Sequence, residues 1–351
     1  LLPMNAPKPL EAIQNRFMAQ TFPQDNEIPF IFAEKLFRGE DPKQILSPYS
    51  SADRPPLQTG MALVYWPVVS RLVGEVRHYQ AASMVCQLVW VSVFALHPWA
   101  WAPILLALVG FFFIHSSFVW PKLFAGALGL MAFFEWEKKR ISTSAILFGL
   151  ALLAHPSVIF ALPLFVFVRV RGAVRVGLIL CALYLPWICY QQFYNPPGNY
   201  VAKDLLAGRQ STEVESTMSV LKENYSARPL SEIALNKIKN FAALLGPATG
   251  SAWKTAEDWR YSEFFHPLRL FGILALFLLF IRRDWLRGIV WSFVAWCLLM
   301  FGPGTTVVHH CSYALILALF WLLLEVVGRL PMPLRLSLVG TQVVQFFYLW
   351  R

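Results

Sequence analysis

YQAASMVCQLVWVSVFALH, residues 79–97, decides the fold. The stretch carries no Asp, Glu, Lys or Arg, and it approaches the roughly 20 apolar residues that a helix needs to cross a bilayer. Similar runs recur in both directions. Apolar spans read over 78–97, 100–116, 118–135, 142–155, 157–170, 174–194, 268–281, 286–302, 311–328 and 332–350. The chain of 351 residues is 57% apolar and 14% charged, against about 25% charged in ordinary globular chains. Length alone would give roughly two soluble domains. The pattern instead predicts an all-α polytopic membrane protein with about ten transmembrane helices.

Four regions follow. Residues 1–75 are polar to mixed and form a first outward loop with interfacial helices. Residues 76–194 hold the first group of spans. Residues 195–266 form a long outward loop with a Pro196-Pro197-Gly198 turn and two amphipathic stretches near 201–207 and 230–245. Residues 267–351 hold the remaining spans. The sequence begins at Leu1, and a further membrane span ahead of it is expected.

Charge sets the orientation. Lys138, Lys139, Arg140, Arg169, Arg171, Arg175, Arg282, Arg283, Arg287, Arg329 and Arg335 fall on one side of the ten-span alternation. The short connections of the other side hold Lys122 alone. The positive-inside rule makes the first side cytoplasmic. Splitting 142–170 at His155-Pro156, where proline interrupts the helix ladder, is what gives this distribution. Merging the two halves would put Arg282, Arg283, Arg287, Arg329 and Arg335 outside. The formal charge of +10 therefore reflects topology, and no nucleic-acid partner is expected. Cys86, Cys181, Cys189, Cys297 and Cys311 all lie in or beside apolar spans without a CxxC spacing, so they read as small apolar residues.

Two polar clusters share the outward side. Phe22-Pro23-Gln24-Asp25-Asn26-Glu27-Ile28-Pro29 leads into a helical pattern of Ile28, Ile31, Phe32, Leu36 and Phe37, which predicts a helix lying in the membrane interface. Taken alone, Asp25 or Asn26 reads as a helix cap, with Glu27 complementing the dipole. The second cluster is Asp53-Arg54-Pro55-Pro56-Leu57, followed by Tyr65-Trp66-Pro67. Pro-Pro stiffens the chain, and an Arg fork held there suits a phosphate. Taken alone, it reads equally as a surface turn before an aromatic belt.

Taken together, the clusters and the many spans resemble the GT-C superfamily of integral-membrane glycosyltransferases. The resemblance is nearest to the branch containing aminoarabinose transferases and protein O-mannosyltransferases. It implies a bacterial inner-membrane enzyme whose site faces the periplasm or exterior. The enzyme would move a sugar from a polyprenyl-phosphate donor to an acceptor that the sequence leaves open. It implies Asp25 as general base, with Glu27 beside it, and Arg54 as a ligand of the carrier phosphate. Asp53, and with it His155, becomes a candidate ligand for a divalent metal ion, the one cofactor expected. The family's basic residue before a Tyr is matched by His309-His310-Cys311-Ser312-Tyr313. Two departures stand out: Asn26 separates an acidic pair that is often adjacent, and Arg54 stands where many members have Lys.

Other outward polar residues carry two readings each. Lys122 meets either membrane lipid phosphate generally or the carrier. His155 either faces the site or caps a helix. Lys203 is a second phosphate ligand if the long loop folds over the site, and otherwise a solvated loop residue. His309 and His310 are acid–base candidates near neutral pH, and as neighbours they are expected to point apart, so that one at most enters a site. No GxGxxG or GxxxxGK[ST] fingerprint occurs, which fits a lipid-linked donor. The alternatives are a transporter or flippase of lipid-linked intermediates, and a non-catalytic membrane scaffold. A transporter would need charge at mid-membrane depth, whereas Glu135 and Glu325 lie near cytoplasmic span ends.

Overall fold

The computed structural model describes residues 24–46, 49–168, 172–209, 215–244, 283–301 and 307–350. The expected span over 268–281, the residues Arg169, Arg171 and Arg282, and the side chain of Asp25 lie outside the described set.

A 3-10 turn, Gln24–Glu27, runs into α1 (Ile28–Arg38). Pro29 fits the first turn, whose N–H groups need no partner within the helix. Gly39, at φ 70°, ends it in the left-handed conformation. β1 (Gln44–Leu46) pairs antiparallel with β2 (Tyr49–Ser50), with Gln44 opposite Ser50 and Leu46 opposite Tyr49. A 3-10 turn at Ser51–Asp53 and the two prolines then lead to α2 (Leu57–Val73). α2 was not expected within a region of mixed polarity. Ala62 and Trp66 face inward, while Val64, Val68 and Leu72, four residues apart, form an exposed apolar stripe.

The deciding stretch folds as α3 (Glu75–Gln87) and α4 (Val89–Phe94), with a break at Leu88. α5 (Ala102–Ala107) and α6 (Gly110–Phe118) follow. α7 (Pro121–Glu137) meets α6 at a 115° bend, turned at Val119, whose φ is 53°. α8 (Ile141–Ala154) stops at His155, and a 3-10 turn, Pro156–Ala161, leads into α9 (Leu162–Val168), which is the break expected at His155-Pro156. α10 (Ala173–Cys189) ends in a π-turn, Tyr190–Tyr194. The long loop contributes α11 (Tyr200–Ala207), α12 (Thr217–Ser226) and α13 (Leu230–Leu244). α14 (Arg283–Leu299), the short α15 (Val307–His310), α16 (Tyr313–Val327) and α17 (Met332–Trp350) complete the described chain.

The chain is thus all-α apart from one small hairpin. Among the described residues, Val174–Tyr194 is long and apolar enough to cross a membrane, and the bent α6–α7 pair qualifies if taken as one span. Ile141–Ala154, Pro156–Val166 and Tyr313–Val327 are apolar but shorter. α10 leaves Val174, Leu178, Leu185 and Ile188 exposed, whereas α16 is buried almost from end to end.

Glycines let the central helices touch. A Cβ at Gly126 would lie 2.7 Å from Tyr313 Cβ and 2.8 Å from its carbonyl carbon, and one at Gly129 would lie 2.9 Å from Ala314 Cβ. α7 and α16 therefore meet almost backbone to backbone, the approach that small residues permit between apolar helices. Gly149 serves α8 against Leu183 of α10 in the same way, and Gly288 serves α14 against Leu164 of α9.

The helices have two distinct ends. At one, Asn26 reaches Phe118, Gln58 reaches Val119, Lys122 reaches His309, and Asp53 reaches Asn199. At the other, Trp285 bonds Glu137, Gly172 packs on Ile141, Gly328 approaches Trp99, and His97 lies on Trp321. Apart from Trp321, which falls inside the expected 311–328 span, these contacts join residues that charge alternation assigns to the same side.

Candidate functional site

The first loop is fixed to the helices before it can present anything. The Gln58 amide donates to Val119 O at 2.8 Å and to the Tyr79 hydroxyl at 2.9 Å, and Tyr79 donates to Asn26 O at 3.0 Å. Asn26 Nδ2 donates to Phe118 O at 3.2 Å. Its side chain is therefore engaged 92 positions away rather than in capping α1. Glu27 occupies the N-cap position without a side-chain capping bond, and it is buried. A carboxylate at this position complements the dipole of α1, as the plain reading of Glu27 expects. Asp25 lies in the same 3-10 turn.

The second cluster is held from the other side. Asp53 closes a capping box with Ser50, accepting its N–H at 2.9 Å, while its second carboxyl oxygen accepts the Asn199 N–H at 2.8 Å. The Ser51 hydroxyl lies 2.6 Å from the Tyr190 hydroxyl, Gln191 donates to Ala52 O, and Asn195 donates to Ser51 Oγ and Lys43 O. The π-turn that ends α10 and the start of α11 thus grip residues 43–53. Arg54 leaves this clamp buried, its guanidinium 5.9 Å from the Tyr49 ring centre, and Tyr49 meets Tyr200 of α11 edge-on. Lys203, one turn further along α11, is buried as well rather than solvated.

Lys122, in the first turn of α7, is the centre of the arrangement. It is buried, with Nζ 2.5 Å from His309 O and 3.4 Å from His310 Nδ1. The ammonium lies 4.1 Å from the Trp120 ring centre and 5.6 Å from that of Tyr313, a favourable cation–π setting. Trp120 also faces the rings of His155, His309 and His310. Both neighbouring histidines therefore enter the cluster, contrary to the expectation that one at most would do so. Their rings meet edge-on, 4.9 Å apart, and both face Trp120.

The electrostatics are those of an anion site. Burial, with the charges of Lys122 and Arg54 behind it, holds the His155 imidazole well below the usual histidine range. The same causes act on His310. Both rings are neutral near pH 7, and two cations stand close enough to keep them so. His155 Nδ1 is 2.9 Å from Ser157 Oγ and accepts the Ser157 N–H, so it caps the following 3-10 turn while its ring faces Trp120.

The structure therefore brings Arg54, Lys122, His155, His310 and Tyr313 together, with Glu27 on the adjoining turn. It sets Asp53 to a clamping task, each of its carboxyl oxygens accepting a backbone N–H. Among the described residues, no group of three or more His, Cys, Asp or Glu side chains is arranged to hold a metal ion. Three participants went unread in the sequence: Trp120, His115 and Gln58. Only Trp120 carried a signal there, as the aromatic beside the lone outward lysine. No family model, curated protein or solved structure matches the chain.

Proposed function

We propose that the chain is an integral-membrane glycosyltransferase of the GT-C kind, with about ten spans in its bilayer arrangement. It transfers a sugar from a polyprenyl-phosphate donor to a lipid, glycan or protein acceptor at the non-cytoplasmic face of a bacterial inner membrane. One observation carries this reading. Arg54 and Lys122, 68 positions apart in sequence (122 less 54), both act on His155 and His310 at the outward end of the helices. A buried pair of cations beside neutral imidazoles suits a phosphate whose isoprenoid tail stays in lipid. The apolar faces left exposed on α2 and α10, and the pairing of same-side residues at each end, support the membrane arrangement.

The chemistry is a single displacement. Asp25 takes the proton of the acceptor hydroxyl as its oxygen attacks the anomeric carbon. The bond from that carbon to the phosphate oxygen breaks, and the electron pair leaves with the polyprenyl phosphate. Arg54 and Lys122 stabilise the added negative charge. Glu27, buried beside Asn26, orients the acceptor side, and the configuration at the sugar inverts. Lys203 and Tyr313 line the donor's approach.

The test is transfer from a panel of radiolabelled polyprenyl-phosphate sugars by the purified full-length chain. Labelled product with one donor, lost in Arg54→Ala, is the expected result. No transfer with any donor, together with no binding of polyprenyl phosphate, would end the reading.

A further inference from the structure

Tyr313 opens α16 with its ring buried against Phe111 and its hydroxyl between two imidazoles. The hydroxyl is 3.1 Å from His115 Nε2 on α6 and 3.5 Å from His309 Nδ1. His309 turns its carbonyl to Lys122 and lays its ring on Trp120, with centroids 4.5 Å apart. His115 is fully buried and packs on Phe111. Gly126 lets α7 close on the Cβ and carbonyl carbon of Tyr313, which fixes the base from which the side chain extends.

We propose that His115 is a positioning residue, which through Tyr313 and His309 fixes the Lys122 ammonium where a phosphate is met. The proposal rests on the glycosyltransferase reading and adds to it a residue that touches no substrate. A lysine stem has several rotatable bonds, and an unbraced ammonium would spread over several positions. The phenol has one proton, so it donates to one ring nitrogen and accepts from the other. The two imidazoles then hold the same tautomer, both Nδ1–H if the phenol donates to His115 and both Nε2–H if it donates to His309, and the turn that carries the His309 carbonyl is set by a group on α6.

Binding of polyprenyl phosphate and steady-state transfer by the full chain in detergent test this. His115→Phe keeps the packing on Phe111 and removes Nε2. It is expected to weaken binding by about 5- to 10-fold, the worth of a buried hydrogen bond. His115→Gln, whose amide reaches the Nε2 position, recovers binding to within about twofold. Tyr313→Phe cuts the same link from the other side and serves if His115→Phe does not fold. The double variant loses no more than the larger single loss. Wild-type binding by His115→Phe, or losses that add in the double variant, would overturn the brace. If the wild type binds no polyprenyl phosphate, the glycosyltransferase reading fails, and the brace is decided by the acylation rate of Lys122 followed by mass spectrometry. That rate rises in His115→Phe and Tyr313→Phe but not in His115→Gln; an unchanged rate rejects the brace.

Discussion

The two ends of the helices use charge in opposite ways. At the end that charge alternation reads as inward, Glu135 meets Lys138 at 3.1 Å and Arg140 at 3.2 Å, three and five positions along the chain, and both cations are more than half exposed. At the end it reads as outward, Lys122 and Arg54 are buried, and Lys122 reaches His309 and His310, 187 and 188 positions away. Local exposed pairs contribute little to stability and order little, whereas buried charges persist only where distant segments converge to support them. The inward end carries local surface pairs. The outward end is built around charge that a fold would otherwise avoid.

Substitutions measure how deep that contrast runs. The largest effect is expected at Asp25. Asp25→Asn retains size and capping ability, so a fold-only role predicts full activity. As a general base its loss costs about 100- to 10,000-fold in transfer rate at an unchanged unfolding temperature. An active Asp25→Asn protein would leave the outward end as a binding site without its base. Arg54→Ala comes next, with donor binding or turnover reduced about 10- to 150-fold, and Arg54→Lys recovering part of it. Equal donor affinity in Arg54→Ala would remove the phosphate from the account.

Asp53→Ala acts on stability. It releases the N–H groups of Ser50 and Asn199, and denaturation should show a loss of about 1–3 kcal/mol. A more gradual loss is expected on acidification. The folded pKa values of His155 and His310 lie below the unfolded value near 6.5, so the unfolded chain binds more protons as pH falls. Stability is therefore level above about pH 7 and declines as pH drops through 6.5 toward the folded values, and a flat profile down to pH 5 would contradict the burial of these rings. At the inward end, Glu135→Gln should change stability by less than about 1 kcal/mol and leave transfer alone. A large effect there would erase the distinction between the two ends.

Periodicity and charge carried much of this in the sequence. The stretch 142–155 folds as Ile141–Ala154, and the expected break follows it at His155-Pro156. Arg54, Lys122 and Tyr313 were legible as chemistry because each is an unusual residue beside prolines or aromatics at a predicted boundary. α2 was not, because Pro67 and scattered polar residues hide a stripe that only a helix of that pitch exposes. Nor was the role of Asp53, since its partner Asn199 becomes a neighbour only through the path of α10. His115 looks in sequence like a lone polar residue in an apolar run. Its meaning depends on Tyr313, 198 positions later.

That separation bears on how the protein is made. Lys122 is synthesised well before the segment bearing His309, so its ammonium must wait in a partly assembled helix set for a carbonyl that emerges 187 positions later. The clamp at Asp53 likewise stays open until residue 199 has emerged. Assembly of the outward end is thus a late, high-contact-order event, slow by topology rather than by local propensity. A ribosome-stalled chain ending near residue 244 would carry Lys122 and the Asp53 clamp but not the His309 carbonyl, and a fragment beginning near 283 would have to be supplied to complete the cluster.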